Sequence, residues 1–176
     1  MAKFTVEYDY YLPKHRLTFL LRVSKLTDYN KSPEPRKAQI QLNTGLSAND
    51  RVLSWFEGLD KKPIPKTLWL QCELALAEGF TNAVRHAHRE LPPDTPIDLE
   101  VSIFSNSIEI RIWDFGPPFD LKGWLKNHPA PKIYAGGGRG IRLMRAIADD
   151  LSYTRTNDSR NCLLIIKNYA PDLERD

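Results

Sequence analysis

Glu78 and Asn82 stand four residues apart in "LALAEGFTNAVRHAH", within a stretch whose apolar residues recur at spacings of three and four. At about 100° per residue the two fall on neighbouring turns, along one edge of the apolar stripe, and His86 continues the row. A carboxylate and a carboxamide so placed suit two jobs around a phosphate. The amide oxygen is a hard ligand for magnesium, and the carboxylate can orient or deprotonate an attacking hydroxyl. A solvated Glu and Asn on an exposed helix face share the same spacing, so the pair by itself leaves both readings open.

A second candidate is "GGGRG" at 136–140. Backbone N–H groups freed by glycine at a helix N-terminus form an anion cradle, with Gly138, Arg139 and Gly140 nearest the helix. A flexible turn ahead of a helix reads the same way, and Arg139 either reaches a phosphate or faces solvent. The third candidate is Asp114, which closes a strand beside Gly116. A carboxylate there can accept from an amino group such as that of adenine, while the glycine lets a flat ligand approach. A turn-stabilising aspartate is the competing reading. The letters Asp114-Phe115-Gly116 also mark the magnesium-binding turn of eukaryotic-type protein kinases, in which the glycine loop comes first and a His-Arg-Asp loop precedes the turn. Here the glycine loop follows Asp114 and the sequence contains no His-Arg-Asp, so that assignment fails.

The elements that must position these residues can be read from periodicity. A helical pattern runs from Lys66 to Arg89, and Ser47 with Asp50 resembles a capping box opening an earlier helix through "VLSWFEGL". "AQIQL" reads as a strand. Alternation at Ile97, Leu99, Val101 and Ile103, and again at Ile108, Ile110 and Ile112 across the Asn106-Ser107 turn, predicts two antiparallel strands. After a loop rich in Pro, Lys and Gly, the glycine turn opens a helix with Ile141, Met144, Ile147, Ala148 and Leu151 on its buried face. Strands around "SYTRT" and "CLLIIKNY" flank the turn "NDSR". The pattern predicts an α+β fold, a two-layer sandwich of a mostly antiparallel sheet with helices on one face.

Bulk properties narrow the function classes. A chain of 176 residues, 41% apolar, suits one core, and 25 basic against 22 acidic residues give a net charge of only +3, unclustered, which disfavours a nucleic-acid protein. Cys72 and Cys162 lie far apart in apolar segments and read as core residues of a protein from a reducing compartment. No apolar run approaches the roughly 18 residues of a membrane span, and the first residues lack a signal-peptide core, so a cytoplasmic protein without direct membrane contact is expected. The expected divisions are a hairpin appendage and linker over 1–37, a main domain over 38–170 and a tail over 171–176.

In this order, the motifs resemble those of the GHKL superfamily of ATPases, and most closely its anti-sigma-factor serine kinase branch. "LALAEGFTNAVRHAH" is similar to that branch's N box, "WDFGPPFD" to its first glycine box and "GGGRGIRLMRAIADDLSY" to its second. The resemblance spans roughly residues 38–170 and implies a Bergerat-type pocket for ATP and Mg²⁺. It assigns Glu78 as general base, Asn82 as Mg²⁺ ligand and Asp114 as the adenine contact. Gly116, Gly138 and Gly140 would shape the walls, with Arg139 beside the phosphates. "PPFDLKGWLKNHPAPKIYAGGG" would be a lid, on which Lys122, Lys126 and Lys132 either assist or only keep the segment soluble.

The implied activity is that of a partner-switching serine/threonine protein kinase. It would phosphorylate a small STAS-type antagonist, sequester a sigma factor or other regulatory target, be opposed by a metal-dependent serine phosphatase, and pair as a homodimer. A catalytically silent ATP-sensing module is the alternative. A histidine kinase lacks support, because no helical segment with a phospho-accepting histidine precedes the N box. The chain departs from the branch at Pro117-Pro118, where relatives often carry a second glycine, and in "SRNCLLIIK", where relatives often place a threonine beside adenine. Thr156 and Asn161 are the candidates to replace that threonine.

Overall fold

The structure is a computed structural model that describes residues 9–12, 15–18, 34–45, 48–128 and 138–170. The chain divides into two compact units, Met1–Ser32 and Pro33–Asp176. In the first, β1 (Asp9–Leu12) pairs antiparallel with β2 (His15–Thr18), Leu12 opposite His15. Most of the expected linker, the tail over 171–176 and the capping residue Ser47 lie outside the described residues.

The second unit is built on a five-stranded sheet in the order β3-β4-β5-β7-β6, antiparallel at every pairing. Its strands are β3 (Arg36–Asn43), β4 (Pro96–Ile103), β5 (Ser107–Asp114), β6 (Asp150–Arg155) and β7 (Asn161–Asn168). Because side chains alternate along a strand, the register sorts the sheet into two faces. Ile40, Leu99, Ile112 and Leu163 fall in one row of the first face, and Gln39, Glu100, Arg111 and Leu164 in one row of the second.

Helices α1 (Ala48–Glu57), α2 (Lys66–Asn82) and α4 (Arg139–Ile147) pack over the apolar face, and a short α3 (Leu121–Asn127) lies between β5 and α4 in the chain. Gly79 lets α2 lie flat on the sheet: a Cβ there would stand 2.6 Å from Ile112 Cδ1 and 2.9 Å from Leu163 Cδ2. Phe56 of α1 stacks on Trp69 of α2 at 4.2 Å, and Leu76, Phe80, Leu99 and Ile112 are fully buried. Each such side chain contributes about 1.5–3 kcal/mol through burial. The other face is polar. Arg111 bridges Glu100 and Glu109, and Arg160 pairs with Asp98 at 2.8 Å while lying over the Trp113 ring. The architecture is the α+β sandwich expected from the sequence.

Three elements differ from expectation. The helical pattern drawn from Lys66 to Arg89 is α-helical only to Asn82, and Ala83–Ala87 forms a π turn, whose i→i+5 bonding shifts the side-chain rows. His86 therefore leaves the row of Glu78 and Asn82 and is exposed. Helix α4 stops at Ile147, so Ala148 is an extended cap and Leu151 belongs to β6; both remain buried. Within the segment read as a loop, Asp120 caps α3 by accepting from the Gly123 N–H at 2.8 Å.

Cys72 is buried and Cys162 half-buried, both as free thiols, and burial above all pushes the Cys72 thiol up to about 12. No helix among the described residues is long and apolar enough to cross a membrane.

Candidate nucleotide site

Two helix ends meet at the first part of the site. The last turns of α2 carry Glu78 and Asn82, both half-buried, and α4 begins beside them. Gly140, in the first turn of α4, faces both side chains: a Cβ there would collide with Glu78 Oε2 and stand 3.6 Å from Asn82 Nδ2. A half-turn of the Asn82 carboxamide presents its oxygen in place of the nitrogen. Gly138 caps α4 from the left-handed region, φ +70° and ψ 13°, which glycine reaches without steric cost. The cap provides no side-chain acceptor, and the first turn holds no acidic residue. The leading N–H groups and the positive end of the helix dipole are thus not neutralised from within the helix.

Trp124 of α3 covers Gly138 on one side, where any Cβ would strike its ring, and Arg142 lies 5.3 Å from the ring centroid. Arg139, the first residue of α4, is exposed, as are Lys122 and Lys126 on α3. Gly136, Gly137 and Lys132 lie outside the described residues.

The second part of the site is the turn at the end of β5. Asp114 is only 2% exposed, yet its carboxylate has three donors: Gly116 N and Asn161 Nδ2, each 2.8 Å from Oδ1, and the Tyr153 hydroxyl, 2.7 Å from Oδ2. Buried charge is tolerated only with such partners. Asn161, itself 1% exposed, spends its second amide hydrogen on Gly116 O at 2.9 Å, and its Oδ1 accepts from Arg155 at 3.1 Å. Of the two candidates for the missing threonine, Asn161 reaches Asp114. The Thr156 hydroxyl instead binds Asp158 and the Arg160 carbonyl in the β6–β7 turn.

Gly116 packs against the π turn so closely that a Cβ would lie 2.6 Å from Ala87 Cβ and 2.7 Å from the Ala87 carbonyl oxygen. Next to it, the Phe115 N–H donates to His88 Nε2 at 2.8 Å, and the opposite ring nitrogen meets the Thr44 hydroxyl at 2.5 Å. Because Thr44 gives its own proton to the Thr95 carbonyl, His88 Nδ1 is the donor of that contact and Nε2 is unprotonated. Burial lowers the His88 pKa, against the opposing charge of Asp114.

Glu78, Asn82 and Gly140 therefore converge, with Gly138 and Arg139 just ahead of Gly140 in the chain, while Asp114 and Gly116 form a separate turn joined to α2 through Ala83–Ala87. Sequence reasoning missed His88 and Tyr153. The signal for Tyr153 lay in the register, since Asp114 faces Asn161 across β5–β7 and Asn161 faces Arg155 across β7–β6, two residues from Tyr153 on the same side. Only the strand order, unknown from sequence, makes that signal usable.

The family model of the histidine kinase-like ATPase domain matches residues 46–167. The serine-protein kinase RsbW of Oceanobacillus iheyensis is 29% identical over 110 residues, 59% of this chain and 67% of its own. RsbW of Staphylococcus epidermidis is 31% identical over 87 residues, 46% of this chain and 54% of its own, and that of Listeria innocua is 29% identical over 85 residues. The chain thus spans about half to two thirds of the length of these curated relatives. With the family model covering both halves of the site, the chain belongs to the histidine kinase-like ATPase family, the GHKL superfamily its motifs resemble, and is similar there to the serine-protein kinases.

Proposed function

We propose that this protein is an ATP-dependent serine/threonine protein kinase of the partner-switching type. The observation that carries the reading is the meeting of Gly140 with Glu78 and Asn82, which joins a carboxylate, a carboxamide and a glycine-capped helix N-terminus at one place. On this reading Asp114 receives the adenine amine and Gly116 gives the ring room. The N–H groups of the first α4 turn, with Gly138 and Arg139, hold the phosphates. Among the described residues no group of three or more His, Cys, Asp or Glu side chains could cage a metal. That suits magnesium, which keeps its waters and binds mainly through substrate phosphates, with Asn82 as the protein ligand. Bound there, the ion supplies positive charge against the triphosphate.

Glu78 takes the proton of the incoming serine or threonine hydroxyl as its oxygen attacks the γ-phosphorus. The bond to the leaving diphosphate breaks, and the α4 amides meet the charge that develops. Similarity to the RsbW serine-protein kinases supports protein as the acceptor. The acceptor is proposed to be a small STAS-type antagonist, the second partner a sigma factor or other regulatory protein, the opposing enzyme a metal-dependent phosphatase, and the working state a homodimer.

Glu78→Ala tests the chemistry. Phosphate transfer from labelled ATP to the antagonist should fall at least a hundredfold, about what a general base contributes, with MgATP affinity by calorimetry preserved. Unchanged transfer would remove Glu78 as the base. Wild-type protein that binds MgATP but leaves every antagonist unlabelled would replace the kinase by an ATP-sensing module.

A further inference from the structure

Three donors converge on the Asp114 carboxylate, which offers about four acceptor positions in all. Oδ1 is filled twice, by Gly116 N and Asn161 Nδ2, and Oδ2 once, by Tyr153. Asn161 has no donor left for a nucleobase, since both amide hydrogens are committed to Asp114 and Gly116. Tyr153 gives its single proton to Asp114 and retains only acceptor capacity. Burial, followed by the hydrogen bond to Asp114 and its charge, pushes the phenol up, so the hydroxyl stays a donor throughout the working range. The ring is held edge-on by Phe119, centroids 6.1 Å apart, and Phe119 is itself exposed.

On the ATP-binding reading above, on which the assignment rests, we propose that Tyr153 is a specificity-determining residue of the pocket. By donating to Asp114 Oδ2 it fixes the carboxylate and leaves that oxygen one acceptor position, which suits the exocyclic amine of adenine. A purine with a keto group at that ring position would set an acceptor against acceptors and leave the buried carboxylate short of a donor. Tyr153 is thus a positioning residue. It acts through Asp114, and its effect is confined to nucleotides that carry the amine.

The test compares MgATP with the magnesium complex of purine riboside triphosphate, which differs from ATP by lacking the amine. Affinities are measured by calorimetry on wild type and on Tyr153→Phe. Asp114 keeps two donors in the variant, so the fold persists. We expect wild type to prefer ATP, and Tyr153→Phe to weaken ATP about tenfold while shifting the amine-free analogue by less than about twofold, so that the preference collapses. Tyr153→Leu, which also removes the ring, should weaken both ligands by a common factor and still show the additional loss for ATP.

Equal losses for the two nucleotides in both variants, or an unchanged preference, overturn the assignment of Tyr153 while leaving ATP binding standing. A wild type that binds both without preference also overturns it. A wild type that binds neither removes the ATP-binding reading itself.

Discussion

The two parts of the candidate site are built by opposite means. At the β5 end the chain is bound at almost every polar group: Phe115 N by His88, Gly116 N by Asp114, and Gly116 O by both Asn161 and Arg155. At the α4 end the decisive feature is missing atoms, because Gly138 and Gly140 leave room beside Trp124, Glu78 and Asn82 and the cap residue Gly138 has no side chain to accept from the helix. A recognition surface for a flat, neutral base gains from donors and acceptors fixed in advance. A surface for a triphosphate needs unpaired N–H groups and space, which any side chain would remove.

That contrast is broken most strongly by adding one methyl group at each end. At Gly116 the obstacle is the backbone of the π turn, with the new Cβ 2.6–2.7 Å from Ala87 atoms. Gly116→Ala should cost about 1–3 kcal/mol, a fall of several degrees in Tm, with loss of nucleotide binding. At Gly140 the obstacle is the tip of the Glu78 side chain, which can swing aside. Alanine is also a better helix residue than glycine by about 1 kcal/mol, so Gly140→Ala should melt no lower than wild type. On the proposed mechanism, the displaced Glu78 carboxylate and the added methyl should nevertheless reduce phosphate transfer about a hundredfold. Transfer should fall in both variants while only Gly116→Ala melts lower if the two ends are built as described; matching melting temperatures would show that they are not.

The same contrast explains what the sequence disclosed. The α4 end was legible because its residues lie in two continuous segments: Glu78 and Asn82 are neighbours on one helix, and Gly138 to Gly140 open another. The sheet was legible from period-two alternation, as in Ile108, Ile110 and Ile112 of β5. The β5 end was readable only at Asp114 and Gly116. Its supports come from four separated places, Thr44, His88, Tyr153 and Asn161, and are joined by strand order rather than by spacing. The π turn hid His88, because a pattern read at 3.6 residues per turn places His86 in line and His88 out of it. Helix α3 was hidden by Pro117-Pro118 and Gly123, which argue for a loop until the Asp120 cap is seen.

His88 sharpens the comparison through pH. Its folded pKa is lowered from 6.5, chiefly by burial, so the neutral ring is the form the fold prefers. The stability it contributes is fully present above about pH 6.5 and is lost as pH falls through the lowered folded value, by at most about 1.4 kcal/mol per pH unit for one proton. Protonation also turns Nε2 into a donor facing the Phe115 N–H, so the loss falls on the β5 end. His88→Gln should be less stable than wild type at pH 7 by about 1–2 kcal/mol and should flatten the decline between pH 7 and pH 5. Urea unfolding across that range measures both effects. A decline of unchanged slope in the variant would place the acid-sensitive group elsewhere.

The smallest effect is expected where neither end is touched. Glu73, on the same helix as Glu78, has its pKa raised from 4.5 by burial first, then by the charge of Glu57 and a hydrogen bond to it. A raised carboxyl pKa means that ionisation opposes folding: the neutral form's advantage is present below about pH 4.5 and is lost as pH rises through the folded value. At pH 7 the α1–α2 contact therefore holds two carboxylates side by side, and Glu73→Gln should raise stability by a few tenths of a kcal/mol, the usual size for like charges on helices. The gain should vanish at pH 4, where the Glu73 carboxyl, its pKa raised, is largely protonated. MgATP affinity should not change, since the α1–α2 contact stands apart from Asp114 and from the first turn of α4. An affinity that moved with Glu73→Gln would show that α2 transmits strain along its length to Glu78, and the two ends would then have to be treated as one coupled unit.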